Sequence, residues 1–140
     1  MPYATQADLL NQITQTELVQ LTDDTGAGSV DSAKVDAALN AASATIDAYA
    51  GARYTLPLQS SEKVKQLAVD LAIYELEKRR RRLRDATLAA RDAALSFLRD
   101  LAARRAVLDQ PAGASAQQTE ADVKKTDQER VFSDENLEGF

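Results

Sequence analysis

Six cations crowd into seven consecutive positions of this chain: Lys78, Arg79, Arg80, Arg81, Arg82 and Arg84. Clustered guanidiniums release counterions on meeting nucleic-acid phosphates, so one chemistry open to the run is phosphate contact. The same residues suit the C-terminal half of a helix, where they face the negative end of its dipole, or a contact with an acidic protein surface. The chain is acidic overall, with a formal net charge of −5, and no aromatic residue interleaves with the run to stack on bases. A protein–protein surface is therefore the preferred reading. A small nucleic-acid-binding or DNA-packaging accessory protein is the alternative.

The remaining charged residues offer less. Asp23, Asp24 and Asp31 form a carboxylate group that lacks the spacing and terminal glutamate of a calcium loop, and turn and capping roles account for each. Arg53, beside Tyr54 and Pro57, stays protonated and makes a poor acid or base, so a structural ion pair with Asp47 or Asp70 is expected. Glu62, Asp70, Glu75 and Glu77 have no second set of carboxylates to face across a cleft and read as helix surface. With no histidine and no cysteine, the chain lacks imidazole bases, thiol nucleophiles and the commonest zinc ligands. No catalytic residue, cofactor or metal is expected, and the chain reads as a non-enzyme.

Helices must position these residues. The 140-residue chain suits one domain, and much of its 44% hydrophobic content is alanine, which favours closely packed helices. Thr5 with Asp8, and Thr14 with Glu17, each signal the start of a short helix. Residues 22–29 are turn-forming, and Asp31 caps a third helix whose stripe Val35, Leu39, Ala42, Ile46 and Tyr49 repeats at helical spacing, with Gly51 as its C-cap. Pro57 forces an extended connector around residues 53–58. Ser60 or Ser61 caps the central core helix, carrying Val64, Leu67, Ala68, Leu71, Tyr74 and Leu76, which runs into the arginines. A break near residues 83–87, with Asp85 or Thr87 as cap, opens a fifth helix bearing Leu88, Leu95, Leu98, Leu101, Ala102 and Leu108. The expected fold is all-α, a small bundle of four to five helices over residues 1–110. Residues 111–140 read as a linker and an extended C-terminal arm.

Charge divides unevenly along this plan. Residues 61–110 carry twelve bases against eight acids, whereas both flanks are acidic. Two unlike surfaces of this kind can meet on neighbouring copies of one chain. In the arm, Arg130, Phe132, Leu137 and Phe140 suit a segment that orders on a partner surface. No apolar run approaches the roughly 18 residues of a membrane span, and no secretory signal opens the chain, so a cytoplasmically made protein without membrane contact is expected.

Several short motifs, in order, carry a resemblance: Tyr3-Ala4-Thr5 with Asp8-Leu9, Leu21-Thr22-Asp23, Ala38-Leu39 with Ser43, Ile46-Asp47 and Tyr49, Arg53-Tyr54 with Leu56-Pro57-Leu58, Asp70-Leu71-Ala72 with Tyr74, and Phe132-Ser133 with Leu137 and Gly139-Phe140. In these the chain resembles the head-to-tail connector (adaptor) family of Mu-like tailed phages, the gp36-like group. It departs from that pattern around Ala89 to Asp92, where an aromatic often sits, and in the density of its arginines. The resemblance implies a helical virion protein made in the host cytoplasm and placed at the head-to-tail junction. It implies a homo-oligomeric, dodecameric ring that docks under the portal protein and contacts a tail-completion or tail-terminator protein. Transient contact with DNA in the channel is implied as well.

Overall fold

Two reciprocal caps begin the fold. The Asp8 amide donates to Thr5 Oγ1 at 3.4 Å while the Thr5 amide donates to Asp8 Oδ2 at 2.8 Å. Thr14 and Glu17 repeat the exchange at 3.2 and 3.1 Å. The structure, a computed structural model, describes residues 2–110, and the linker, the arm and its Arg130, Phe132, Leu137 and Phe140 lie outside the described residues. Five helices follow in order: α1 (Gln6–Leu10), α2 (Gln15–Thr22), α3 (Ser32–Ala50), α4 (Glu62–Arg79) and α5 (Asp85–Ala102). Among the described residues there is no β-strand.

Helices as short as α1 and α2 are unstable alone, so packing rather than capping holds them. A cap contributes about 1 kcal/mol, whereas burying one leucine contributes about 2 kcal/mol. Leu9 and Leu18 are fully buried and anchor these two helices to the core. α4 touches all four other helices and buries residues on every side, among them Val64, Leu67, Ala68, Val69, Ala72 and Leu76. α3 presents the expected stripe of Val35, Leu39, Ala42 and Ile46, and its alanines let it lie close along α4. α5 closes the third side with Leu95, Leu98 and Leu101.

Three local expectations are met and two are corrected. Asp31 and Ser61 cap α3 and α4 through their side chains, and Gly51 is the C-cap of α3. Gly51 has an ordinary helical φ of −62°, so the requirement there is space: a Cβ would sit 2.9 Å from the Asp47 carbonyl oxygen. Neither Asp85 nor Thr87 caps α5. Arg84 holds the N-cap position with no side-chain cap bond, because a guanidinium has no acceptor to offer the first amides, and it donates back to Glu77 of α4 instead. Leu108 belongs to the segment after α5 rather than to the helix, and is buried there.

α4 and α5 end alike. The Arg82 amide donates to Glu77 O at 3.1 Å and the Arg81 amide to Lys78 O at 3.0 Å, closing α4 in a Schellman turn with Arg81 left-handed at φ 55°. Arg104, at φ 63°, does the same for α5 through Asp100 and Leu101. Glycine is the usual residue at such a position, because a side chain there costs about 1–2 kcal/mol. The variant Arg81→Gly is therefore expected to raise stability by about 1 kcal/mol, measurable as a higher urea midpoint with unchanged slope. An unchanged or lower midpoint would show that the Arg81 side chain is needed by the fold.

Candidate interface at the corner between the last two helices

The arginine run sits where the chain turns from α4 into α5, and the fold divides it into two groups. Arg79 pairs with Asp24 at 2.8 Å and donates to the Leu21 carbonyl at 2.7 Å. Arg80 reaches Asp24 at 3.1 Å and donates to the carbonyls of Gln20 and Asp23 at 3.0 and 2.9 Å. Both guanidiniums thus satisfy free carbonyls at the C-terminus of α2, where the helix dipole favours positive charge. Arg84 pairs with Glu77 at 2.6 Å and with Glu17 at 2.9 Å. Glu17 is also the capping acid of α2, so the arginines grip that helix at both ends. Lys78 lies 3.8 Å from Glu75 and 5.9 Å from the centre of the Tyr74 ring.

Arg81 and Arg82 have no such employment. Both side chains are exposed and meet no carboxylate among the described residues, and Leu83 beside them is 41% exposed. The corner therefore offers two unpaired guanidiniums and one exposed leucine in sequence. Beneath it, Glu17, Gln20, Leu21, Glu77, Arg82 and Arg84 line a shallow groove of about 200 Å³. Pockets that enclose ordinary ligands run to about 300–1,000 Å³, so the groove is smaller than a usual small-molecule site.

The aspartates of residues 23–31 serve the turn, as their sequence context suggests. Asp23 accepts from the amides of Gly28 at 2.8 Å and of Gly26 and Ala27 at 3.0 and 3.1 Å, with both glycines at positive φ. These amides, Gly28 first, hold its carboxyl below the usual carboxylate range. Asp24 is the hub for Arg79, Arg80 and Lys34, the last at 2.7 Å. Hydrogen bonds from Arg79 first, and then Lys34, hold its carboxyl well below the usual range. A carboxyl whose folded affinity for protons is depressed adds stability above its unfolded pKa of about 4 and loses it as pH falls further. Wild type and Asp24→Asn are thus expected to differ in melting temperature at pH 6 and to converge as pH falls below about 4. A gap that stays constant down to pH 2 would show that Asp24 is not the acid-sensitive member.

The expected ion pair of Arg53 with Asp47 or Asp70 is corrected. Arg53 donates to the carbonyls of Ala106 at 2.7 Å and Leu101 at 3.3 Å, and lies 5.5 Å from the centre of the Tyr54 ring. It is the C-terminus of α5, not a carboxylate, that draws this guanidinium. Tyr54 is buried, and its hydroxyl accepts from the Leu108 amide at 3.0 Å. Asp47 instead accepts from the Tyr3 hydroxyl, which in turn accepts from the Leu58 amide at 3.1 Å, next to the cis Leu56–Pro57 bond. Burial, and then Asp47, push the Tyr3 hydroxyl up. Asp70 is half-buried near Gln12 and Lys63, and burial pushes its carboxyl up. Arg53 and Tyr54 thus tie the connector to the segment after α5, and Asp47 ties to it through Tyr3, while Pro57 is exposed and Asp70 lies apart from them.

The Bacteriophage Mu, Gp36 family matches residues 3–126 of this chain. The chain belongs to that family. A Mu-like prophage FluMu protein gp36 from Haemophilus influenzae (strain ATCC 51907 / DSM 11121 / KW20 / Rd) is 42% identical over 79 residues, which is 56% of this chain and 56% of the relative. The chain thus spans just over half the length of that curated relative. As a member of the Gp36 family the chain is a phage protein, and the matched region takes in all five helices and the arginine corner. Among the described residues no helix is long and apolar enough to cross a membrane.

Two residues central to the corner escaped sequence reasoning. Glu77 read as helix surface, yet it is 1% exposed. The signal was its register: it continues the row Val69, Ile73 at intervals of four, and both of those are buried. Lys34 carried the local signal of Asp31 three residues before it, with which it pairs at 2.9 Å, but only the folded loop brings it to Asp24.

Proposed function

We propose that this chain is the subunit of a head-to-tail connector, a ring seated under the portal that joins the DNA-filled capsid to the tail. Membership of the Gp36 family over residues 3–126 carries the reading, because it supports a structural or morphogenesis role in Mu-like phages. The geometry supports it through the kind of surface it offers. A closed ring is built from a heterologous interface, in which two different patches of each subunit meet on its neighbours. The two unpaired arginines of the basic corner supply one such patch, and the acids that give the chain its net charge of −5 can supply an unlike one. The assembly has twelve copies, with the portal protein above, a tail-completion or tail-terminator protein below, and DNA passing transiently through a channel whose acidic walls would not retain it.

The nucleic-acid-binding alternative loses support at the corner, because Arg79, Arg80 and Arg84 already face carboxylates within the chain. Electron microscopy of purified virions is the test, with density for this chain expected at the head-to-tail junction. Its absence from mature particles would overturn the reading. Tight, salt-sensitive retention of random duplex DNA on a filter would favour the alternative.

A further inference from the structure

We propose that the corner of Arg81, Arg82 and Leu83 is the docking site for residues 127–140 of a second copy of this chain. Three observations converge on it. The two guanidiniums are unpaired among the described residues while four other members of the same run are engaged. Arg81 is held left-handed at φ 55°, where glycine would be less strained, so a side chain is kept at a position that disfavours one. Leu83 is exposed beside them, and the groove below is floored by Leu21.

Residues 127–140 have the complementary chemistry. Asp127, Glu129, Asp134, Glu135 and Glu138 outnumber the single Arg130, and Val131, Phe132 and Leu137 are interspersed among them. Carboxylates can pair with the guanidiniums in bidentate fashion while the apolar residues cover Leu83. Nucleic acid fits less well. Two free guanidiniums would give a salt slope of only about 2, and phosphate has no use for an exposed leucine.

Chain length permits the contact. Gln110 is held beside the start of α4, its side chain exchanging hydrogen bonds with the Gln59 backbone at 2.6 and 2.7 Å. The corner lies at the other end of α4, about 27 Å away at 1.5 Å per residue. Residues 111–126 reach up to about 50 Å when extended, enough to leave the parent subunit. That the segment crosses to a second copy rests on the ring reading. The match to the Gp36 family ends at residue 126, before the segment begins.

The test uses the full chain with a photoreactive benzoylphenylalanine in place of Leu83, mixed from nitrogen-14 and nitrogen-15 preparations, with duplex DNA present. Cross-links from position 83 to residues 127–140 that join light to heavy chains are the expected result. The pair Arg81→Glu and Arg82→Glu, with unchanged helical circular dichroism, is expected to cut their yield at least tenfold. A partner copy carrying Asp134→Arg and Glu135→Arg is expected to restore it. Cross-links confined to single chains, to other segments or to DNA would overturn the proposal, as would a charge reversal without effect. Because this experiment is done in solution, it fails independently of the connector reading: a chain seated at the virion junction without such cross-links loses only this contact, and cross-links in a chain missing from virions leave only the contact standing.

Discussion

Replacing Arg84 with methionine is expected to lower the stability of the protein by about 3 kcal/mol. In a domain of this size that corresponds to a fall of roughly 10 °C in melting temperature. Removing one partner of a buried ion pair leaves the other charge without compensation, at a cost of about 3–5 kcal/mol. The lower figure applies because the pair is lopsided: the Glu77 side chain is 1% exposed and that of Arg84 is 54% exposed. Arg84 also holds Glu77 through its own amide, at 3.2 Å, so the carboxylate would retain one donor. The partly exposed pair with Glu17 adds little, since such pairs are worth about 0–1 kcal/mol. The double variant Glu77→Met with Arg84→Met separates the causes. It removes the buried charge together with its partner and is expected to recover most of the loss. Thermal unfolding followed by circular dichroism measures both, and a double variant as unstable as the single one would rule out the buried carboxylate as the source.

Arg53→Ala is expected to cost about 2 kcal/mol, the value of hydrogen bonds from a charged donor. A single Arg53 nitrogen, Nη1, donates to the carbonyls of both Leu101 and Ala106, fastening the segment after α5 to the connector before α4. Both bonds come from one nitrogen, and a lysine ammonium also carries several donors on one nitrogen, so Arg53→Lys is expected to recover part of the loss. Urea denaturation of Arg53→Ala, Asp47→Asn and the pair is expected to give additive losses, because Asp47 is engaged with Tyr3 instead. Coupling between them above about 0.5 kcal/mol would return Arg53 to the carboxylates.

The helices were legible for a definite reason. A capping acid lies three residues from its threonine and an apolar stripe repeats within one turn, so both signals are complete inside a short window, as Thr5 with Asp8 and the stripe of α3 show. The start of α5 was misread because its N-cap residue works at long range. Arg84 reaches Glu17, 67 positions away, and no local pattern announces that. Glu77 was half legible, visible in its register but not in its burial, since burial depends on what α2 and α5 lay over it. Residues 111–140, with Phe132 and Phe140, lie outside the described residues.

The amino-acid sequence by itself determined that this chain is helical, where its first four helices begin, and that its positive charge is gathered at one bend. Those features depend on backbone geometry and on neighbours within one or two turns. Which of the arginines are free was decided only by the tertiary structure. Arg79 meets Asp24 across 55 positions and Arg84 meets Glu17 across 67, leaving Arg81 and Arg82 exposed at the turn. A guanidinium pairs with whichever carboxylate or carbonyl the packed helices bring within about 3 Å, and the order of residues along a chain does not encode that distance.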